Sequence, residues 1–161
     1  MPKPKKTPKK SVKKATGKKE VAKKVVGQTL DVGFEIGVQK TLAIAPTHVW
    51  AFLLSAKGLQ IWLGAITKLP TKPDEAYATT DGTMGEIRSI EPGKKLRLTW
   101  KPADVKDIST LQITVIRSGK KTLLRFHHEK LKNAKHREMM RRHWQGVIDR
   151  LDRAQTMDTK E

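Results

Sequence analysis

Residues 134–155, AKHREMMRRHWQGVIDRLDRAQ, carry the clearest helical periodicity in this chain. Apolar residues recur there every three or four positions, and most of the arginines lie between them. This spacing predicts a long amphipathic helix with one buried stripe, and Asn133 is a suitable N-cap for it. The stripe consists of Met140, Trp144, Val147, Ile148 and Leu151. Such a helix needs a second layer of structure to cover its apolar side.

The segments before this helix alternate between apolar and polar residues. That period of two predicts strands with one buried face. Glycine-containing turn signals separate most of these segments, as expected for neighbouring antiparallel strands. The predicted strands cover residues 32–44, 85–91, 95–101, 111–115 and 122–128.

Two short helices are predicted between the first strand and the others. Pro46 suits the first turn of a helix, and Gly58 predicts an interruption before a second helical turn that ends at Gly64. The order of elements predicts an α+β helix-grip architecture. In it, a curved antiparallel sheet of about six to seven strands wraps around the long C-terminal helix.

Residues 1–27 form a lysine-rich arm, and residues 28–161 form the predicted domain. The arm holds eleven of the 34 basic residues and a single acid, Glu20, so burial cannot offset its ordering entropy and we predict disorder. Its lysines are candidates for nonspecific contact with nucleic acid, although a solubilising tail would have the same composition. The candidates are Lys5, Lys6, Lys9, Lys10, Lys13, Lys14, Lys18, Lys19, Lys23 and Lys24.

The composition narrows the classes of function. The chain has no cysteine, which excludes disulfides and thiol nucleophiles and is compatible with a reducing cytoplasm. No apolar run reaches the ~20 residues that cross a bilayer, and no signal peptide is recognised. We therefore predict a cytoplasmic protein. No nucleophile elbow, phosphate-binding loop or metal-ligand spacing is present, so we predict no catalytic residue, no cofactor and no metal site.

Four stretches give the chain a family resemblance: IAPTHVWAFLLSAKGLQIWLG at 44–64, GTMGEIRSIEPGKKLRLTW at 82–100, KTLLRFHHEKL at 121–131 and HWQGVIDRLDRA at 143–154. In order and spacing they resemble the activator-of-HSP-90-ATPase-like family of the START-like (SRPBCC) superfamily. The resemblance implies a helix-grip fold with a cavity between sheet and closing helix, where superfamily members hold lipids, sterols or polyketides. The family's eukaryotic co-chaperone has an additional N-terminal domain, which the arm replaces here, so no chaperone partner is expected.

Six residues are the candidates for the wall of such a cavity. His128 shares its strand parity with Leu124 and Phe126, so it is expected to point inward. Each tryptophan could instead fill the core, and His128 could be a hydrogen-bonded core residue. The candidates are Trp50, Trp62, Trp100, His128, Met140 and Trp144.

Three hypotheses of function follow. The first is a non-enzymatic protein that binds a small apolar ligand of lipid or aromatic type in the cavity. The second is an accessory protein of nucleic acid or chromatin, in which the arm is the functional part and the domain is a filled scaffold. The third is an enzyme that uses His128 with a nearby acid.

Overall fold

The computed structural model describes residues 28–29 and 33–159. The predicted arm over residues 1–27, with its ten candidate lysines, lies outside the described residues. The described elements are β1 (Gln28–Thr29), β2 (Gly33–Leu42), α1 (Pro46–Leu54), α2 (Ala56–Trp62), β3 (Ala76–Ala78), β4 (Met84–Glu91), β5 (Lys95–Trp100), β6 (Ser109–Ser118), β7 (Lys121–Leu131) and α3 (Ala134–Thr159).

The strands form one antiparallel sheet in the order β1-β2-β7-β6-β5-β4-β3. β2 and β7 are the one pair of neighbouring strands described that do not follow each other in sequence, and the connection from β2 to β3 at the far edge of the sheet carries α1 and α2. The curved sheet holds α3 along its inner face, mainly against β2 and β7. This is the predicted helix-grip architecture, and the fold class is confirmed.

The core lies between the inner face of the sheet and the apolar stripe of α3. Leu98 on β5 pairs with Leu111 on β6, Ile113 on β6 pairs with Phe126 on β7, and all four side chains are buried. On α3 the side chains of Trp144 and Leu151 are also fully buried. Asn133 caps this helix as predicted, since its Oδ1 accepts the His136 N–H at 2.8 Å. Among the described residues, no helix is apolar enough over a sufficient length to cross a membrane.

The pairing of β7 with β2 contains a β-bulge. Phe34 pairs with Leu131 and Ile36 pairs with His128, so Glu35 lies opposite two residues, Glu129 and Lys130. Lys130 has a φ of 65°, a left-handed conformation that is uncommon for a residue with a side chain and is typical of such bulges. The bulge sets Glu129 beside Glu35 on the outer face of the sheet.

The two short helices meet at Ser55, and not at Gly58 as the sequence suggested. The Ser55 hydroxyl donates to the Phe52 carbonyl at 2.6 Å and accepts the Gly58 N–H at 3.0 Å, so one side chain both ends α1 and caps α2. Gly58 lies inside α2, where its Cα packs directly under the Phe52 carbonyl. Glycine is needed there for close packing.

Substitution of Gly58 by alanine is expected to lower the free energy of unfolding by about 2 kcal/mol, because the added Cβ would lie 1.8 Å from the Phe52 oxygen. Gly146 in α3 is the matched control, since the nearest atom to its added Cβ is the Arg150 Nη1 at 3.6 Å. There alanine should stabilise the protein by about 0.8 kcal/mol through helix propensity. Urea unfolding of both variants measures the difference, and equal effects would contradict the packing argument.

Candidate ligand-binding site

Three of the six candidate wall residues lie in the centre of the core. Trp144 stacks on Phe126 with ring centroids 5.0 Å apart, and Trp62 meets the same ring edge-on at 6.4 Å. The Trp62 indole N–H donates to the Leu53 carbonyl at 2.8 Å, which ties α2 to α1. His128 is also fully buried and points inward, as its strand parity predicted. Trp50 lies in α1 and is partly buried against the core.

His128 belongs to a buried chain of hydrogen bonds. The Trp144 indole N–H donates to His128 Nδ1 at 3.0 Å, so Nδ1 carries no hydrogen. The Nε2–H of His128 therefore donates to Ser109 Oγ at 2.7 Å, and the Ser109 hydroxyl donates to the Trp100 carbonyl at 3.1 Å. Each polar group in this series of hydrogen bonds has a partner, and the geometry fixes one tautomer of the His128 imidazole.

This tautomer prevents His128 from acting as a general base on Ser109. A base needs a free lone pair toward the hydroxyl, but His128 directs its N–H there and its lone pair toward Trp144. Burial also lowers the pKa of His128 to about 3, so the imidazole stays neutral in the folded protein. The serine and histidine resemble a catalytic pair in distance only, and their arrangement is structural.

An enclosed cavity lies beside this series of hydrogen bonds, under the 101–108 loop. Its volume is about 220 Å³. Trp100 lines it from the sheet, Val105 from the loop, and Met139 and Met140 from the start of α3. A wider groove of about 470 Å³ shares Val105 and Met139 with the cavity and forms its mouth. The cavity thus lies between sheet and closing helix, at one end of α3.

Trp100 connects the cavity to the core. Its ring packs edge-on against His128 at 5.0 Å and is tilted against Trp144 at 5.6 Å. Its indole Nε1 is buried and has no hydrogen-bond partner among the described residues. An unpaired buried donor is costly, and in a cavity wall it is satisfied when a ligand or water supplies an acceptor.

Charged groups surround the mouth of the cavity. Lys132 faces Asp107 across it, with Nζ and Oδ2 3.8 Å apart and both side chains exposed. The Lys132 main-chain N–H donates to His136 Nδ1 at 3.3 Å. Partial burial, together with the charge of Lys132, lowers the pKa of His136, so its ring is neutral near pH 7 and presents Nε2–H. The mouth therefore offers one positive and one negative side chain, together with a hydrogen-bond donor on His136.

Of the six candidates, the structure brings Trp100 and Met140 to this cavity. Sequence reasoning missed Val105, His136 and Met139. Val105 lies in a loop without periodicity, and Met139 is one position off the apolar stripe. Met139 is 58% exposed, and a large exposed apolar side chain beside a cavity is a signal that only the structure provides.

The fold and this end-of-helix cavity define a START-like helix-grip protein. The family model described as "Activator of Hsp90 ATPase homolog 1-like protein" matches residues 43–155, and the chain belongs to that family. The resemblance found in the sequence is confirmed. A comparison with curated protein sequences gave no match.

Solved structures share the fold. CV1439 from Chromobacterium violaceum is 20% identical over 74% of this chain and 95% of its own, with a TM-score of 0.63. CalU16 from Micromonospora echinospora is 19% identical over 73% and 71%, with a TM-score of 0.62. PFC0360w, an HSP90 activator from Plasmodium falciparum, is 19% identical over 61% and 74%, with a TM-score of 0.53. Another match, DynU16 of the dynemicin biosynthetic locus, is aligned over only 46% of its length. Identities this low establish the fold alone.

Proposed function

We propose that the protein is a cytoplasmic, non-enzymatic binding protein for a small molecule that has an apolar part and a hydrogen-bond acceptor. The observation that carries this proposal is a cavity lined by Trp100, a residue whose buried Nε1–H has no hydrogen-bond partner among the described residues. An acceptor on the ligand would satisfy that donor while Met140 and the Trp100 ring contact its apolar part.

The volumes constrain the size of the ligand. Pockets for drug-sized molecules typically measure about 300–1,000 Å³, so a cavity of about 220 Å³ accommodates one ring or a short acyl segment. A larger ligand would place its remaining atoms in the adjoining groove of about 470 Å³, near Lys132 and His136. We infer that an aromatic or acyl part of the ligand occupies the cavity and that a polar part of it lies in the adjoining groove.

The experiment is an NMR titration of the full chain with a panel of fatty acids, sterols and flavonoid-like aromatics. We expect a bound ligand to move the Trp100 indole N–H resonance downfield, because that donor gains a partner. The Trp144 indole N–H already donates to His128 and should move little. The Trp62 indole, bonded to the Leu53 carbonyl, is a second internal reference.

A cavity-filling variant provides the control. Val105→Trp places an indole in the cavity from a partly exposed loop position and should weaken binding at least tenfold without loss of the fold. Val105→Ala keeps the cavity open and should retain binding. A panel that leaves the Trp100 resonance unmoved, or Val105→Trp binding as well as wild type, would refute the proposal.

A second candidate function, accessory binding to nucleic acid, is favoured by a basic groove on the outer face of the sheet. This groove, of about 610 Å³, is lined by Arg88, Arg97, Lys101 and Lys130, with Glu86 as its acidic member. Within the described residues Lys101 and Lys130 form no ion pair. A phosphate backbone would find a cationic surface there in addition to the lysine-rich arm.

DNA binding is therefore expected to depend steeply on salt and to respond to both surfaces. Each phosphate contact contributes about −0.9 to the log–log slope of affinity against salt. Replacing Arg88, Lys101 and Lys130 by glutamine should reduce the slope by about 3, and replacing the arm lysines should reduce it separately. Fluorescence anisotropy over a salt series measures both changes. A slope that only the arm variant alters would assign the contact to the arm alone.

A further inference from the structure

A cluster of three potential metal ligands lies on the outer face of the sheet, on the side of β7 opposite the buried His128. His127 Nε2 is 2.8 Å from Glu35 Oε1 and 3.3 Å from Glu129 Oε2. The three ligand atoms lie within 4.8 Å of one another. The side chains are 22% exposed at Glu35, 29% at His127 and 13% at Glu129, so they are partly desolvated but accessible to an ion.

The sheet holds these side chains together from two strands. His127 and Glu129 alternate on β7 and so share a face, and the bulge at Lys130 brings Glu35 of β2 opposite Glu129. His127 pairs across the ladder with Gly37, which has no side chain to cover the ring. A Cβ built at Gly37 would lie 3.8 Å from His127 Nδ1, so a larger residue there would contact the imidazole ring.

The hydrogen bonding of this cluster is incomplete, because His127 Nε2 can donate to only one of the two carboxylates that approach it. Arg97 donates to Glu129 Oε1 at 2.8 Å and leaves Oε2 directed at His127. Two adjacent carboxylates with one guanidinium keep a net negative charge, which a cation on the Nε2 side would neutralise.

We propose that Glu35, His127 and Glu129 bind a divalent transition-metal ion, with Zn²⁺ as the best match. Zinc takes imidazole nitrogen and carboxylate oxygen at about 2.0–2.2 Å, which places neighbouring ligand atoms about 3.3 Å apart. The Nε2–Oε2 distance already has that value, and the Nε2–Oε1 distance requires a small outward shift. Water completes the coordination. Magnesium and calcium prefer all-oxygen sites and suit the imidazole poorly.

This site is independent of the proposed ligand cavity, which opens on the other side of the sheet beside Trp100. Its ligands come from two strands that are adjacent only in the folded protein. Zinc should therefore bind the native state and fasten β2 to β7 at the bulge. An experiment can therefore refute zinc binding without refuting ligand binding in the cavity, and the reverse.

The test is isothermal titration of the metal-free full chain with ZnCl₂, with His127 side-chain nitrogens followed by NMR. We expect one zinc per chain and a large shift at His127 Nε2. Loss of outer-shell partners alone weakens zinc sites about 10–100-fold, so His127→Gln and Glu35→Gln should each weaken binding at least tenfold. His48→Gln is the matched control, since His48 is an exposed histidine on α1, and it should bind as wild type does.

The Arg97→Gln variant distinguishes the proposed three-residue site from a single surface histidine that binds zinc by itself. Arg97 donates to Glu129 Oε1 and holds Oε2 toward His127, so its removal is expected to weaken zinc binding about tenfold although Arg97 is not itself a ligand. Circular dichroism confirms that each variant is folded. The proposal is overturned if His127→Gln binds zinc as tightly as wild type, if His48→Gln abolishes binding, or if zinc up to 1 mM, about the weakest affinity worth assigning, leaves the His127 signals unmoved.

Discussion

Substitution of Trp144 by alanine is expected to lower the free energy of unfolding by about 4 kcal/mol. The side chain is fully buried, stacks on Phe126 at 5.0 Å and donates to His128 Nδ1 at 3.0 Å. Its removal leaves a cavity in the centre of the core and an acceptor without a donor. Urea unfolding followed by far-UV circular dichroism measures the change.

Two variants separate packing from hydrogen bonding at this position. Trp144→Phe keeps much of the ring stacking but leaves His128 Nδ1 unpaired, and should cost about 1–3 kcal/mol. Trp50→Ala removes a partly buried tryptophan of α1 and should cost clearly less than Trp144→Ala. If Trp50→Ala were as destabilising as Trp144→Ala, the core would not centre on Phe126 and Trp144 as described.

Acidification should destabilise the protein through His128. Burial lowers its pKa to about 3, whereas an unfolded histidine has a pKa of about 6.5. Because the unfolded state takes up the proton first, this residue's contribution is complete above pH 6.5 and falls as the pH drops toward 3. Each pH unit in that window costs about 1.4 kcal/mol, so the loss from this group reaches about 3 kcal/mol at pH 4.5.

The pH dependence is measured by urea unfolding of wild type and variants between pH 7 and pH 4.5. His128→Asn removes the titrating group and should flatten the dependence, although its stability at pH 7 is expected to be lower. His48→Gln replaces an exposed histidine and should keep the wild-type profile. A wild-type profile in His128→Asn would mean that other groups cause the acid loss.

Periodicity predicted most of the fold because burial on one face acts on each strand and helix separately. The parity of Leu96 and Leu98, and of Leu124 and Phe126, identified core side chains correctly, and the stripe around Trp144 identified α3. The helix boundary was wrong because Ser55 ends α1 by a side-chain hydrogen bond that outweighs the glycine signal. A local sequence pattern does not show whether the serine or the glycine ends the first helix.

The candidate site was less predictable because it depends on contacts between distant segments. Trp100 has the parity of a core residue, and nothing in its strand indicates that its indole N–H lacks a partner. The cavity exists because the 101–108 loop covers it, and that loop has no periodic pattern. Glu35 and His127 are far apart in sequence, and only the pairing of β2 with β7 brings them together.

The two outer strands of the sheet also bear on how copies of the protein behave at high concentration. Among the described residues β1 pairs only with Gly33 and Phe34, and along the rest of β2 the packed element is α3, with Lys40 paired to Asp149 and Asp152 of that helix. An edge strand that carries a lysine and lies against a helix is a poor template for a strand from another molecule, so edge-to-edge aggregation is disfavoured. An open sheet of seven strands can in this way stay protected from self-association without being closed into a barrel.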